Sequence, residues 1–384
     1  MLPILYRSNT LKEEFKNNGL GFIKNCKKCI VTEVRNGLYE LELEMLITDR
    51  LADSIAVGMF IKALPNSKDE PQIFEIYSLS VTDTKITAKA QHIRYIADGN
   101  IITERTLTLP EGTPVECFEQ IQNLLDERIL NPFEFDSDIT TSAAVTAASE
   151  RPIRLGDFLS GIRGSMLDVF GGEFYYDNFN ISLLKSRGND SGVCLRYGAN
   201  ISSCRQDSDI STVYSYLVPY AFVKAQNINT GEMLDDIALY RYESIDLENE
   251  ILTYKRALAY DFSDEFTDDI LFVRNGGPDN WDNWYALVDK LETVAQNYII
   301  KNKSALTEPT VNIVVDVDET LNVLSDCGLC DTVKVCFEPL GTSVNAKIIR
   351  TEFDVLLEKY SKIELGVMKK TIADLFDGKN IGGA

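Results

Sequence analysis

The first residue to weigh for chemistry is His92, the one histidine among 384 residues, because imidazole ordinarily changes charge near neutral pH. It closes the run KITAKAQHI, in which Ile86, Ala88, Ala90 and His92 alternate with Thr87, Lys89 and Gln91. On a strand this alternation places His92 on the apolar face. The pattern therefore predicts a hydrogen-bonded core histidine rather than a general base. A single histidine excludes an HExxH zinc site. A serine or cysteine triad would have to run through His92, and the sequence has no GxSxG elbow to present the nucleophile.

A second candidate is NIVVDVDETL, where an apolar strand leads into Asp316-x-Asp318-x-Thr320. This is the arrangement of haloacid-dehalogenase-like phosphatases, in which the first carboxylate attacks phosphorus, the second acts as general acid and magnesium binds between them. That chemistry needs further parallel strands with crossover helices. The short segment after Thr320 reads instead as antiparallel strands, so the expectation is a strand ending in a polar turn. CKKC (Cys26 and Cys29) and CGLC (Cys327 and Cys330) have zinc-ligand spacing. Nearly the whole chain separates them, so a shared metal requires the first and last β-regions to touch. Neither opens a helix in a βαβ pattern, as a redox motif would. No P-loop and no GxGxxG after a strand is present. The many acids make some close carboxylate pair inevitable, so glycosidase chemistry gains no support from residue type alone. No catalytic, cofactor-binding or metal residue is expected.

The 59 acidic and 38 basic residues give a formal charge of −21. Such a surface repels phosphate backbones and anionic membranes, so specific nucleic-acid binding and membrane insertion are not expected. It suits a wall past which DNA slides. No apolar run reaches the roughly 18 residues of a membrane span, and charge enters MLPILYRSNTLKEEF too early for a secretory signal. Cys26, Cys29, Cys117, Cys194, Cys204, Cys327, Cys330 and Cys336 are accordingly expected to be reduced thiols.

The elements that would position these residues are mostly strands. CIVTEV-RNG-LYELELEM is a hairpin signal, with Tyr39, Leu41, Leu43 and Met45 on one face and Glu40, Glu42 and Glu44 on the other. Strands follow at GMFIKAL, QIFEIYSLSV and KITAKAQHI. Thr113, Pro114 and Glu116 open a capped helix whose apolar stripe is Cys117, Phe118, Ile121, Leu124 and Leu125. DSDITTSAAVTAASERP reads as an exposed loop. Residues 155–170 read as short helices broken at Gly161 and Gly164 and stopped by Gly171-Gly172. GEFYYDNFNISLL is a hairpin turning at Asp177-Asn178, and SDEFTDDILFVRNGGPDN reads as an acidic loop. A helix is expected from Asn283 to about Lys303. The strands TVNIVVDV, DTVKVCF, VNAKIIRTEF and KYSKIEL follow. The fold class expected is α+β and β-rich.

Three stretches together resemble one family. QIFEIYSLSV with KITAKAQHIRY carries Ala90, His92 and Tyr95 in an Ala-x-His-x-x-Tyr signature. The run from Gly164 to Ile201 carries Ser165 and Asp168, then Gly171, Gly172 and Glu173, then Asp177 and Asn178. It continues with Arg187, Gly188 and Asp190, and with Arg196, Tyr197, Gly198 and Asn200. CDTVKVCF through IIRTEFDVLLEKYSKIELG resembles the closing strands. The family is the phage minor structural protein, also called prophage tail endopeptidase or tail-associated lysin N-terminal region, which is similar to the baseplate hub of contractile-tailed phages.

The resemblance implies a homotrimeric tail hub at the virion tail tip, made in the bacterial host cytoplasm. Its barrels would form a ring that joins the tube to distal parts while DNA passes through. It implies two barrel-like β-domains, at 1–107 and at 206–255 plus 307–364. A mixed α+β domain at 108–205 plus 256–306 would lie between them, and a short helical tail at 365–384 would follow. The implied partners are further copies of itself, the distal tail protein, the tape-measure protein, and fibre or receptor-binding parts. The family's peptidase and muramidase modules lie beyond the hub region, so no enzymatic activity is carried over. A tail-associated cell-wall hydrolase, and a phosphatase using Asp316 and Asp318, are the alternatives. Direct binding of a host receptor ranks below scaffolding. Cys330 stands where the family has a glycine before Asp-Thr-Val, so the turn there is expected to differ.

Overall fold

The structure, a computed structural model, describes residues 1–102, 106–125, 131–149, 151–196, 201–241, 243–275, 277–317, 324–337 and 342–367. It is β-rich with few helices. The chain divides into two units, Met1–Gln206 with Asn312–Ala384, and Asp207–Val311.

The first unit is organised by the hairpin Cys26–Val34 and Tyr39–Leu46. Asn36 turns it with a φ of 53°, a left-handed conformation that asparagine tolerates better than most residues. Tyr39, Leu41, Leu43 and Met45 are buried as their alternation requires. Each such burial contributes roughly 1.5–3 kcal/mol. Lys85–His92 pairs on the other side of Tyr39–Leu46, and Gln72–Val81, Phe60–Ala63, Ile4–Tyr6 and Gly21–Phe22 extend the sheet outward. On the Cys26–Val34 side the sheet continues antiparallel into Thr342–Asp354, with Thr351 opposite Glu33, and then into Lys359–Val367 and Thr310–Val317.

The strand pairing groups the chain differently from the expected segments. Closing strands assigned to a second barrel join the first-barrel strands in one sheet, because Thr342–Asp354 bonds Cys26–Val34. In the second unit Tyr216–Asn227 bonds Ala257–Asp261 and Ile270–Arg274 in parallel, which places 216–246 and 257–274 in one sheet. Of the expected tail at 365–384, residues 368–384 lie outside the described residues.

Two segments expected as loops are strands. Within the Ser/Thr/Ala run, Ala143–Ala148 pairs with Thr106–Gly112, setting Val145 opposite Leu109 and Ala147 opposite Leu107. Val145 and Ala147 are buried; alternation outweighs the loop-like composition. In the acidic stretch, Ile270–Arg274 buries Leu271 and Val273, while Ile270, Phe272 and Arg274 face outward. The long helix spans Trp281–Thr307, longer at both ends than expected; at its start the Asn280 side chain caps it by accepting from the Asp282 N–H at 2.9 Å. Its Leu291, Ala295 and Ile299 pack with Leu217, Ala221, Val223 and Leu271 of the sheet. The shorter helix Pro114–Gln122 has the expected capping box, in which Thr113 and Glu116 exchange hydrogen bonds.

Val145→Asp puts an unpaired carboxylate into this core and is expected to cost about 3 kcal/mol or more. Thr141→Asp, on an exposed neighbour, is expected to change stability by less than about 0.5 kcal/mol. Urea unfolding of both variants checks the strand assignment.

Candidate functional site

His92 is fully buried at the end of its strand. Its Nδ1 accepts the Arg94 backbone N–H at 3.2 Å, which leaves Nε2–H to donate to Gln72 Oε1 at 3.0 Å. The ring stacks on Tyr39 with centroids 4.3 Å apart. Burial, reinforced by Arg94 and Arg187, holds its pKa well below 6.5, so it is a neutral imidazole with both nitrogens used. Gln72 Oε1 also accepts the Asn178 N–H at 2.7 Å, and Asn178 Oδ1 accepts the Ile73 N–H at 2.9 Å. The Asp177-Asn178 turn is thereby latched to the strand that carries Gln72.

A second node centres on Arg187. Its guanidinium meets Glu33 through both terminal nitrogens, at 2.6 and 3.3 Å, and approaches Asp69 at 3.5 Å. The side chains of Arg187 and Glu33 are only 8% and 4% exposed. Burial alone would favour loss of the Arg187 proton, but the charge and hydrogen bonds of Glu33, with Asp69, outweigh it and raise the pKa. Removing one partner of such a pair typically costs about 3–5 kcal/mol, because the other is left charged and dry. The Arg187 N–H donates to Glu173 Oε2 at 2.9 Å, while Lys347 Nζ reaches Glu173 Oε1 at 2.7 Å. Burial would raise the pKa of Glu173, but Lys347 and the Arg187 N–H hold it below the usual carboxylate value. Asp331 closes the set, accepting from Asn189 N–H at 2.8 Å, Gly328 N–H at 2.7 Å and Lys68 Nζ at 2.7 Å.

Backbone geometry explains the glycines nearby. A Cβ on Gly188 would lie 1.9 Å from the Cys330 carbonyl oxygen, and Gly172 has a φ of 92° with the Leu184 carbonyl 2.5 Å from where its Cβ would be. Cys330 itself takes a φ of 72°, so the turn keeps the conformation that glycine favours, although cysteine occupies it. Asn36 pairs with the strand beside it, donating to the Gly172 carbonyl at 3.1 Å and accepting from the Phe174 N–H at 2.8 Å. Ser165 and Asp168 cap the short Met166–Phe170 helix reciprocally: Ser165 Oγ accepts from Asp168 N–H, and Asp168 Oδ2 from Gly164 N–H. Asp190 accepts from the Gly192 N–H within its own turn. Tyr197, Gly198 and Asn200 lie outside the described residues.

The other candidates are not assembled into a reactive site. The Thr310–Val317 strand that carries Asp316 pairs antiparallel with Lys359–Val367, where a phosphatase sheet would be parallel, and Asp318 and Thr320 lie outside the described residues. Among the described residues no three His, Cys, Asp or Glu side chains gather as metal ligands, so the two CxxC pairs are not joined in one site. Cys29, Cys327 and Cys330 are buried. Burial, with Glu173 nearby, pushes the Cys330 thiol up to about 12. The sequence reading missed Glu33, Asp69, Gln72 and Lys347. Glu33 had a visible signal, since it falls in phase with Cys29 and Val31 on the buried face.

Compared by sequence, the chain matches no protein-family model and no curated protein. Compared by structure, it has the fold of phage tail proteins. It is similar to the prophage tail protein gp18 of Listeria monocytogenes, with TM-score 0.54 and 15% identity over 98% of both chains. It is similar to a tail protein of Neisseria meningitidis, with TM-score 0.52 and 10% identity over 95% of this chain and 96% of that one. A 43 kDa tail protein of prophage MuSo2 from Shewanella oneidensis aligns with TM-score 0.54 and 10% identity over 96% and 98%.

Because one histidine is present, its NMR signal reports His92 alone. The imidazole shift is expected to stay flat from about pH 8 to pH 5, whereas a midpoint near 6.5 would mark a solvent-reached, titrating ring. The linked stability follows in sign. The unfolded chain takes up the proton near pH 6.5 and the folded chain does not. The contribution of His92 is therefore present above pH 6.5 and lost as pH falls below it, at up to about 1.4 kcal/mol per pH unit.

Proposed function

We propose that this chain is a structural component of a phage or prophage tail, and within the tail a hub subunit that closes with its own copies into a ring. The observation that carries the reading is that the fold of phage tail proteins runs through nearly the whole chain. It is supported by where the suggestive polar residues are spent. His92, Glu173, Asn178 and Arg187 each make bonds to neighbouring segments of the same unit.

Closed rings need head-to-tail interfaces, each burying on the order of 1,000 Å² or more. The second unit offers surface of the right kind. Phe222, Tyr240, Ile270 and Phe272 are exposed on its strands, opposite the helix-covered core. The formal charge of −21 suits the wall of a channel, since like charge keeps phosphate backbones from adhering during passage. In this reading the subunit is a homotrimer at the tail tip. It contacts the distal tail and tape-measure proteins on one side and fibre or receptor-binding parts on the other.

Light scattering of the purified chain at rising concentration, followed by negative-stain imaging, tests the hub. Three-chain particles with a central opening are expected, and a chain that stays monomeric at every concentration and forms no ring would contradict the proposal. A peptidoglycan zymogram of the same material is expected to remain blank.

A further inference from the structure

Cys194 and Cys336 stand apart from the CxxC pairs. They lie on the neighbouring parallel strands Asp190–Arg196 and Thr332–Phe337, where Cys194 is opposite Lys334 and Arg196 is opposite Cys336. Residues two apart on a strand share a face, so both thiols project from the same side of the sheet. Their Sγ atoms are 2.7 Å apart, inside ordinary non-bonded contact and close to the roughly 2.05 Å of a disulfide bond. Both residues are half-buried, as is Cys26, whereas Cys29, Cys117, Cys327 and Cys330 are buried, so a small reagent reaches this pair before those four.

The surroundings favour reaction at Cys194. Burial acts to raise its pKa, but the hydrogen bonds from Cys336 and Arg196, with the charges of Arg196 and Lys334, outweigh it and lower the value. Cys336 is raised, chiefly by its bond to Cys194. Of the two, Cys194 is therefore the thiol that gives up its proton more readily and the better nucleophile.

We propose that Cys194 and Cys336 form a disulfide when the protein meets a low-molecular-weight disulfide such as oxidised glutathione, and that this bond closes a loop of chain around the whole Asp207–Val311 unit. The Cys194 thiolate attacks one sulfur of oxidised glutathione; the glutathione S–S bond breaks and one glutathione thiolate leaves. Cys336, losing its proton to that thiolate or to water, then attacks the Cys194 sulfur of the mixed disulfide and expels the second glutathione. Two protein thiols are oxidised by two electrons, and one small disulfide is reduced to two thiols that carry the released protons.

Both chain connections to the Asp207–Val311 unit lie between these cysteines in sequence. The bond would staple together two strands of the first unit, Asp190–Arg196 and Thr332–Phe337, that flank those connections in sequence. Cytosolic thiols keep such a pair reduced and an extracellular medium allows it to close, so the staple would form on leaving the cell. The inference rests on the cysteine geometry and holds whether or not the chain is a tail hub.

The test treats the full chain with millimolar oxidised glutathione, quenches with acid and maps peptides without reduction. The expected result is one cross-linked peptide pair joining Cys194 to Cys336 and a rise in Tm on the order of 5 °C, reversed by dithiothreitol. The Cys336→Ser variant is expected to trap Cys194 as its glutathione adduct and to show no rise in Tm. Unmodified cysteines, a stable Cys194 adduct in the unaltered chain, or a cross-link to any other cysteine would each overturn the proposal.

Discussion

A buried charge pair has few tolerable geometries, and the Glu33–Arg187 pair sets the arrangement of the first unit. Taking both groups out of water costs several kcal/mol per ion, which their attraction offsets only if every remaining hydrogen bond is made. The fold meets that demand by bringing three distant stretches together. Glu33 comes from the first hairpin, Arg187 follows the Glu173–Asn178 hairpin region, and Asp69 approaches from the loop before Gln72. Once Arg187 is fixed, its own N–H holds Glu173, and Glu173 holds Lys347 of the closing strands. The close passage of Gly188 under the Cys330 carbonyl belongs to the same constraint, because any side chain at 188 would separate the two segments.

This network gives physical content to residues that otherwise look like a reaction centre. A histidine, several carboxylates, an arginine and a tyrosine lie within one unit, yet each polar atom of His92 has a partner from the protein. A general base needs a free lone pair facing substrate. Here the imidazole lone pair is occupied by the Arg94 N–H, and the guanidinium of Arg187 by Glu33. Such an arrangement holds strands in register.

How much of this was legible in the sequence depended on range. The hairpin at Asn36, the capping box at Thr113 and the core placement of His92 were readable because each is decided by residues a few positions apart. The Ala143–Ala148 and Ile270–Arg274 strands were hidden by composition, small hydroxyl residues in one case and surrounding acids in the other, although the alternation of Val145 with Ala147 and of Leu271 with Val273 was present. The grouping of strands was not readable at all. Whether Thr342–Asp354 joins the first hairpin depends on pairing across more than three hundred residues, and local pattern carries no information about that. Glu33 lies between these cases: its misplaced charge on an apolar face announces a buried partner, and only the fold identifies Arg187.

The most direct measurement is a double-mutant cycle on Glu33→Gln and Arg187→Met, with unfolding of the first unit followed by hydrogen exchange of its peptides. Fluorescence of Trp281 and Trp284, both in the second unit, serves as an internal control. If the pair organises the unit, each single change costs about 3–5 kcal/mol, and the double change costs little more than either alone, leaving a coupling on the order of 2–3 kcal/mol. Small and additive losses, below about 1 kcal/mol each, would contradict the account and mark the pair as incidental to the fold.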